Sequence, residues 1–477
     1  MKQKITFLLL CFGLSLTAQN YSLDNTFSNN AGPSSPTFNG LLINNNYYFF
    51  SNGGAVKMDY NGNYVSEFGI NGIKSIIIPD RNLSMNDVIF SDGYFYIFGQ
   101  VSQTSNIFIV KMDENANLDA NFGLNGYAEY DFGANESLNY IYPEANGDLF
   151  CTGKVGSKLA YFKINSSNGS INYNFDSAGY KSFTMENLAV QSSAGYIIFP
   201  DGNKYIIGGA LSYTGDMGRD LLLVRINDDG SVDPTYGTNG HNVKYLESSA
   251  SINNIQKVGN SLFATYHYAY SFNQQGGRVI KYDLSSEDIL FNITFLSNPY
   301  VKFESENAPF FITSYDNCYT GPCSRNMLMR RYLPDGTPDN SFTFNGNQQF
   351  IYSSNDVPFS DDVARFYIVD TNNRILIGGS RLIRIMESTL GVNESETTNI
   401  AVYPVPFNDK IFIETSIAIG HVEITDQIGR KILNIHTTAA DLKAGLDLSP
   451  IQAAGTYFLK LTTLDKKIIT KKIIKNN

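Results

Sequence analysis

Apolar residues in this chain come in short unbroken runs, each closed by a cluster of Asp, Asn and Gly, and the alternation repeats through most of the sequence. Ile107 to Met112 is one such run, interrupted only by Lys111, as expected of a strand covered on both faces. Asp113 to Asn117 follows, with side chains that bond to their own backbone and tolerate left-handed dihedrals, so the strand must end there. Phe122 is the one large apolar residue in the next loop and is expected to plug that loop onto the core. Gly123 and Asn125-Gly126 allow positive φ where the chain reverses into a strand from Tyr127 to Phe132. Upstream strands open on tight turns: SDGYFYIFGQ from Ser91, NGDLFCTGKV from Asn146, DGNKYIIGGA from Asp201 and NNRILIGGS from Asn372. One repeat therefore reads as strand a, a hairpin turn, strand b, a variable loop, strand c with its basic residue, the motif loop, and strand d.

The copies can be counted by that basic residue: Lys57, Lys111, Lys163, Arg225, Lys281, Arg331 and Arg384. An aromatic follows it in the first six copies, at Phe68, Phe122, Phe175, Tyr236, Phe291 and Phe342. The seventh copy lacks one downstream, but Ser22 to Gly32, SLDNTFSNNAG, matches the missing half, with Phe27 in the aromatic place. Four antiparallel strands per ~50 residues is the unit of a β-propeller, for which about 4 to 8 blades are usual. The expectation is an all-β chain: a seven-bladed β-propeller of four-stranded antiparallel blades over residues 19–386, closed by N- and C-terminal strands so that no sheet edge is exposed at the seam.

The motif, clearest as VRINDDGSVDPTYGTNG from Val224 and RRYLPDGTPDNSFTFNG from Arg330, resembles the bacterial delta-60 repeat of β-propellers. Val65 and Asn172 depart from it where Asp24, Asp119, Asp233 and Asp339 keep the repeat aspartate, and the copy around Lys281 is barely recognisable.

Both ends of the chain differ from the repeats. Lys2 and Lys4 precede the apolar stretch Ile5 to Leu16 and a small-residue site ending at Ala18, the pattern of a secretory signal over residues 1–18. That stretch is too short to span a bilayer, which takes about 20 residues, and no other segment qualifies. Residues 387–399 are polar and acidic and read as a linker. In residues 400–477, short alternating strands separated by turn signals predict a small β-sandwich. AVYPVPFNDKIFIE from Ala401, VEITDQIGRKI from Val422, LDLSPIQAAGTYFLKL from Leu446 and the closing KKIITKKIIK resemble the type A C-terminal sorting domain of type IX secretion in Bacteroidetes, with Val405 where that family has Asn. The resemblance implies handling by the type IX machinery through this tail, and a mature protein secreted or held at the outer cell surface.

Charge narrows the partners. Counting Lys and Arg against Asp and Glu, the tail from residue 398 carries +3 and residues 19–397 carry −15, which argues against nucleic acid and anionic surfaces. Tyr and Phe supply all the aromatics, there is no Trp, and only 17 % of residues are charged. Cys318 and Cys323 in CYTGPC can close a small disulfide or remain two thiols, while Cys151 reads as a buried small hydrophobe.

Linear signatures of nucleophiles, phosphate loops and metal clusters are absent, and the four histidines, His241, His267, His421 and His436, are scattered. No metal or cofactor is called for. Asp113, Asn115, Asn117 and Asp119 have alternate-oxygen spacing for calcium but lack the loop glycine and distal Glu, so turn capping is the favoured reading. The recurrent Lys or Arg is read as a structural cation over a channel lining. Loops between strands b and c break the repeat at 210–220, 266–277 and 313–327. Their aromatics, Tyr266, Tyr268, Tyr270, Phe272, Tyr315 and Tyr319, are the candidate ligand-binding rim, against the alternative that they continue strand packing. Two functions follow: a non-catalytic module binding or adhering to an extracellular glycan or protein, or an extracellular hydrolase or lyase acting on a polymer with carboxylates near the ring axis.

Overall fold

The structure, a computed structural model, describes residues 19–27, 39–156, 158–183, 188–189, 197–213, 219–246, 250–271, 274–295, 299–303, 305–315, 326–344, 347, 349–352, 363–387, 400–415, 417–427, 429–463 and 468–476. The expected export signal, the body of the linker, Phe272, Tyr319, Cys318 and Cys323 lie outside the described residues. The chain divides into two compact units, Met1–Ser388 and Thr389–Asn477.

The first unit is built of antiparallel sheets in chain order, spanning residues 39–75, 83–130, 136–183, 188–244, 250–295, 300–352 and 364–387, and called sheets one to seven below. Sheet two shows the plan: Leu83–Ser91, Tyr94–Val101, Ile107–Asp113 and Tyr127–Tyr130, each strand paired with the one before it. Its second and third strands are buried along nearly their whole length, which is why they read as continuous apolar runs and not as alternation. First strands of neighbouring sheets meet, two with three, three with four, four with five, six with seven and seven with one. Sheets one and two share a core through Tyr48, Phe50 and Phe95, and sheets five and six through Phe263, Phe303 and Phe310. The packing order is therefore cyclic.

The seam is made by the two ends of the repeat region. Gln19–Leu23 pairs antiparallel with Leu382–Glu387 and supplies the outer strand of sheet seven. Arg384 has no exposed side-chain surface; its Nε donates to Asp24 Oδ2 at 2.7 Å, its guanidinium lies 4.4 Å from the Phe27 ring centre, and it donates to the Tyr60 carbonyl of sheet one. Phe342 departs from the expected loop plug. It lies in the short strand Phe342–Phe344, parallel to Gln19–Leu23, and adds a fifth strand to sheet seven. Phe291 likewise sits inside the strand Ile289–Phe295 and not in a loop, which is why the motif there is eroded.

One packing rule runs from sheet to sheet. Gly62, Gly169, Gly230 and Gly336 all have positive φ in the turn after strand c, and a Cβ on any of them would run into Phe27, Phe122, Phe175 or Phe291 of the preceding sheet. The repeat glycine is thus needed twice, for the left-handed turn and for the aromatic pressed against it. Ala116 and Glu287 hold the same turn position with φ 70 and 61. Ala116 shares a buried cluster with Phe68.

The second unit has two antiparallel sheets around one core. Ile400–Tyr403, Lys410–Thr415 and Leu446–Asp447 form one; Lys431–His436, Ile419–Thr425, Gly455–Thr463 and Ile468–Lys475 form the other. Ile411, Ile413, Val422, Leu459 and Ile473 are buried together between them. A short helix, Ala439–Ala444, capped by Thr438 and Asp441, was not expected from the sequence, because six residues are too few to show a 3.6-residue period.

Three outcomes follow. Asp24→Ala leaves the buried Arg384 charge without its carboxylate and should cost about 3 to 5 kcal/mol, while the double variant Asp24→Ala/Arg384→Met recovers most of it; urea unfolding of both measures this. Burial raises the Asp24 carboxyl, but Thr26 and Arg384 outweigh it and hold it below the usual range. A lowered folded pKa contributes stability above the unfolded value near 3.9 and loses it as pH falls through the folded one. The urea-midpoint difference between wild type and Asp24→Asn should therefore be full at pH 6 and shrink below about pH 4. Glu287→Gly relieves an exposed left-handed residue and should raise stability by about 1 kcal/mol in the same assay.

Candidate functional site

Five of the recurrent cations tie one sheet to the next. Lys57 Nζ donates to the Glu114 carbonyl, Lys111 to the Ser166 carbonyl, Lys163 to Asp228, Lys281 to the Glu306 carbonyl and Arg384 to the Tyr60 carbonyl, each acceptor belonging to the next sheet in the cycle. Arg225 and Arg331 pair within their own sheets, to Asp233 and Asp339 at 2.7 Å. Where the repeat aspartate is present, it takes the cation: Asp119 lies 2.7 Å from Lys111. At the third repeat Asn172 cannot, and Glu144 from the turn after strand a takes Lys163 instead, at 3.0 Å. The motif aromatics Phe122, Phe175, Tyr236, Phe342 and Phe27 each lie within 6 Å of the cation of their own repeat, so charge, ring and carboxylate form one buried unit.

The loop examined for calcium is a capped turn. Asp113 Oδ1 accepts the Asn115 and Asn117 amides and its Oδ2 accepts Asn117 Nδ2. Among the described residues no group of three or more His, Cys, Asp or Glu is placed to hold a metal ion. Cys151 is a buried free thiol, and burial raises its pKa well above the ordinary value.

Of the rim tyrosines, the described side chains are those of Tyr266 and Tyr268. Tyr266 is 1 % exposed and belongs to the core between sheets four and five, as the packing alternative held. The correction follows from strand length: Ser261–Ser271 and Gln274–Asp283 form one long hairpin, so residue 266 falls within the paired strand and not in a loop. Tyr268 is half-buried, its ring 5.2 Å from the Arg278 guanidinium. Tyr270 and Tyr315 are placed in strands.

Polar chemistry gathers elsewhere, along the first strands. Their pairing slips at the same place in sheets two, three, five and seven, between Met85 and Asp87, Leu138 and Tyr140, Ile252 and Asn254, and Ala364 and Phe366. The bulged residue is Asn in the first three, Asn86, Asn139 and Asn253, and Arg365 in sheet seven. A bulge re-aims the side chains beside it, and recurrence at one level puts them at one level of the cycle. Asn86 Nδ2 donates to the Leu138 carbonyl of the next sheet, and Asn253 Oδ1 lies 3.3 Å from His267 Nδ1. Asp87, next to the first bulge, accepts Asn39 Nδ2 from sheet one at 2.5 Å and the Val88 amide, both through Oδ1. Desolvation pushes its carboxyl above the usual range. Burial also raises the Tyr140 and Tyr300 phenols, and the Asp87 charge raises both further. Tyr140 comes from the first strand of sheet three and Tyr300 from that of sheet six, while the hydrogen bond to the Asp87 carboxyl joins sheets one and two. Sequence reading passed over this set, although Ser-Met-Asn, Ser-Leu-Asn and Ser-Ile-Asn at 84–86, 137–139 and 251–253 were a visible signal.

No curated protein matches this chain. Among solved structures it is similar to the extracellular domains of two B. thetaiotaomicron proteins described as a hybrid and a one-component system. The identities are 9 % and 12 % and the TM-scores 0.40 and 0.42. The chain covers 57 % and 54 % of those chains, which cover 96 % and 94 % of it; it thus spans little more than half their length. The Dos1 propeller is similar at 12 % identity and TM-score 0.40, over 83 % of this chain and 92 % of that one. No helix among the described residues is long and apolar enough to cross a membrane. Residues 401–476 match the secretion system C-terminal sorting domain, so the chain is an all-β protein with an export tail, directed to the cell surface or beyond it.

Proposed function

We propose that this is a secreted seven-bladed β-propeller, built from delta-60 repeats over residues 19–386, that acts as a non-catalytic binding or adhesion module. In this reading residues 387–399 are a linker and residues 400–477 a β-sandwich that the type IX machinery engages. The cyclic packing of the sheets and the strand shared by the two ends support the propeller. The binding role rests on one observation, the gathering of polar groups along the first strands, where Asn39 of sheet one donates to Asp87 of sheet two and Asn86 of sheet two to the Leu138 carbonyl of sheet three. Hydrolysis by an acid and base pair needs two carboxyls flanking the scissile bond. The bond between Asn39 and Asp87 brings one carboxyl and one amide together, groups suited to recognition by hydrogen bonding.

The full-length protein, exported and purified, should bind ligands on an array of glycans and extracellular matrix proteins. The same preparation should show no turnover in a glycosidase, lyase and esterase screen. Turnover without binding would establish the polymer-cleaving alternative in its place.

A further inference from the structure

Two of the four histidines, scattered in sequence, are brought together by the second unit. His421 and His436 lie directly opposite one another on the paired strands Ile419–Thr425 and Lys431–His436, with ring centres 5.1 Å apart and planes inclined by 64°. One step further along the ladder the Thr437 amide donates to the Gly420 carbonyl at 3.3 Å. Bonded and non-bonded pairs alternate in an antiparallel ladder, so His421 and His436 form a non-hydrogen-bonded pair, the kind whose side chains stand closest. Val422 and Ile424 are buried in the core between the two sheets, which turns His421 to the outer face; Ile435 packs against the same core and turns His436 outward too. Neither ring is hydrogen-bonded or ion-paired to another described residue. The other two histidines stand singly, His241 with its ring 5.7 Å from that of Phe183 and His267 beside Asn253.

Two imidazoles at this spacing suit a shared ion. Two metal–nitrogen bonds of about 2 Å meeting near a tetrahedral angle place the ring centres about 5 Å apart, which is the spacing found. Packing alone gives a weaker account of the pair, since His436 is exposed and His421 only half-buried. The ligands select the ion. Imidazole suits Cu²⁺, Ni²⁺ and Zn²⁺, whereas Ca²⁺ and Mg²⁺ require oxygen ligands. Glu423, two residues along the same face, is already engaged by Lys431 at 2.7 Å and Lys460 at 3.8 Å, so it does not turn the pair into an oxygen site. No third His, Cys, Asp or Glu joins the pair among the described residues, so water completes the coordination and the ion exchanges freely, unlike one held in a closed four-ligand site.

We infer that His421 and His436 form a cross-strand site for a divalent transition-metal ion, Cu²⁺ ahead of Ni²⁺ and Zn²⁺, on the outer face of the second unit. The ion ties Ile419–Thr425 to Lys431–His436 at the end of the hairpin remote from its turn, and by binding only the paired strands it stabilises them. The site stands apart from the binding role proposed for the first unit and does not draw on it.

Titration of the full-length protein with copper(II) chloride in a non-coordinating buffer tests it. One ion should be taken up ahead of any weaker surface binding, and its electron paramagnetic resonance spectrum should show two coordinated imidazole nitrogens. His421→Gln and His436→Gln should each weaken that uptake by at least the about tenfold that losing even an outer partner costs a metal site, and should reduce the pattern to one nitrogen. His241→Gln should change neither, and Ca²⁺ and Mg²⁺ should not compete. Both substituted side chains lie on the outer face, so without metal the variants should unfold at the wild-type urea midpoint. Should either fail to fold, hydrogen exchange of wild type with and without Cu²⁺ decides, with protection expected in Ile419–Thr425 and Lys431–His436. A spectrum with fewer than two imidazole nitrogens, undiminished uptake in both variants, competition by Ca²⁺, or protection confined to other strands overturns the inference.

Discussion

A guanidinium with no exposed surface holds this chain in its cyclic order. Arg384 bonds to Asp24, more than three hundred residues away in sequence, and to the Tyr60 carbonyl of the following sheet, so one side chain joins the first strand, the last strand and sheet one. A charge that deep is costly without a carboxylate against it, and here the carboxylate is in place only if both ends of the repeat region are. Closure is therefore coupled to the completion of a buried ion pair, and a chain lacking either end would bury an uncompensated charge instead.

The same arrangement in weaker form repeats around the cycle. Lys57, Lys111, Lys163 and Lys281 each reach the next sheet, while turn glycines press on the aromatic of the sheet before. Neighbour-to-neighbour bonding of this kind explains how the motif survives local loss. Asn172 has lost the carboxylate, but Lys163 recovers one from Glu144 in the turn after the first strand of its own sheet. Glu287 has lost the glycine, and the turn keeps its left-handed backbone because Asp283 still caps it. Each unit tolerates one missing part as long as the tie to the next sheet remains.

Strand order, the split of the last sheet between two distant segments and the role of the cations were legible because each depends on residue types that recur at fixed spacing. Phe27 opposite Arg384 is the clearest case. Phe342 and Phe291 were misread because a sequence period cannot say whether a loop residue is recruited into a neighbouring strand, which depends on what edge lies beside it; for Phe342 that edge is Gln19–Leu23. Tyr266 was misread for a related reason: an aromatic stretch in a variable region looks like an exposed loop until the hairpin that contains it is seen to be long.

The axial residues were missed by a preference built into the reading of repeats, that recurrent positions are structural and irregular loops functional. Asn86, Asn139 and Asn253 recur, and Asn86 is in part scaffold, since it ties sheet two to sheet three. What the repeat carries beside them is not constant: Asp87, Tyr140 and Asn254 follow the three asparagines, one acidic, one aromatic and one amide. A cyclic fold brings such neighbours of a conserved bulge to a common centre, where their differences add up to a single asymmetric environment. The recurrent residue sets the place and its variable neighbour sets the chemistry, so in a closed array the position to inspect is the one that varies next to the one that does not.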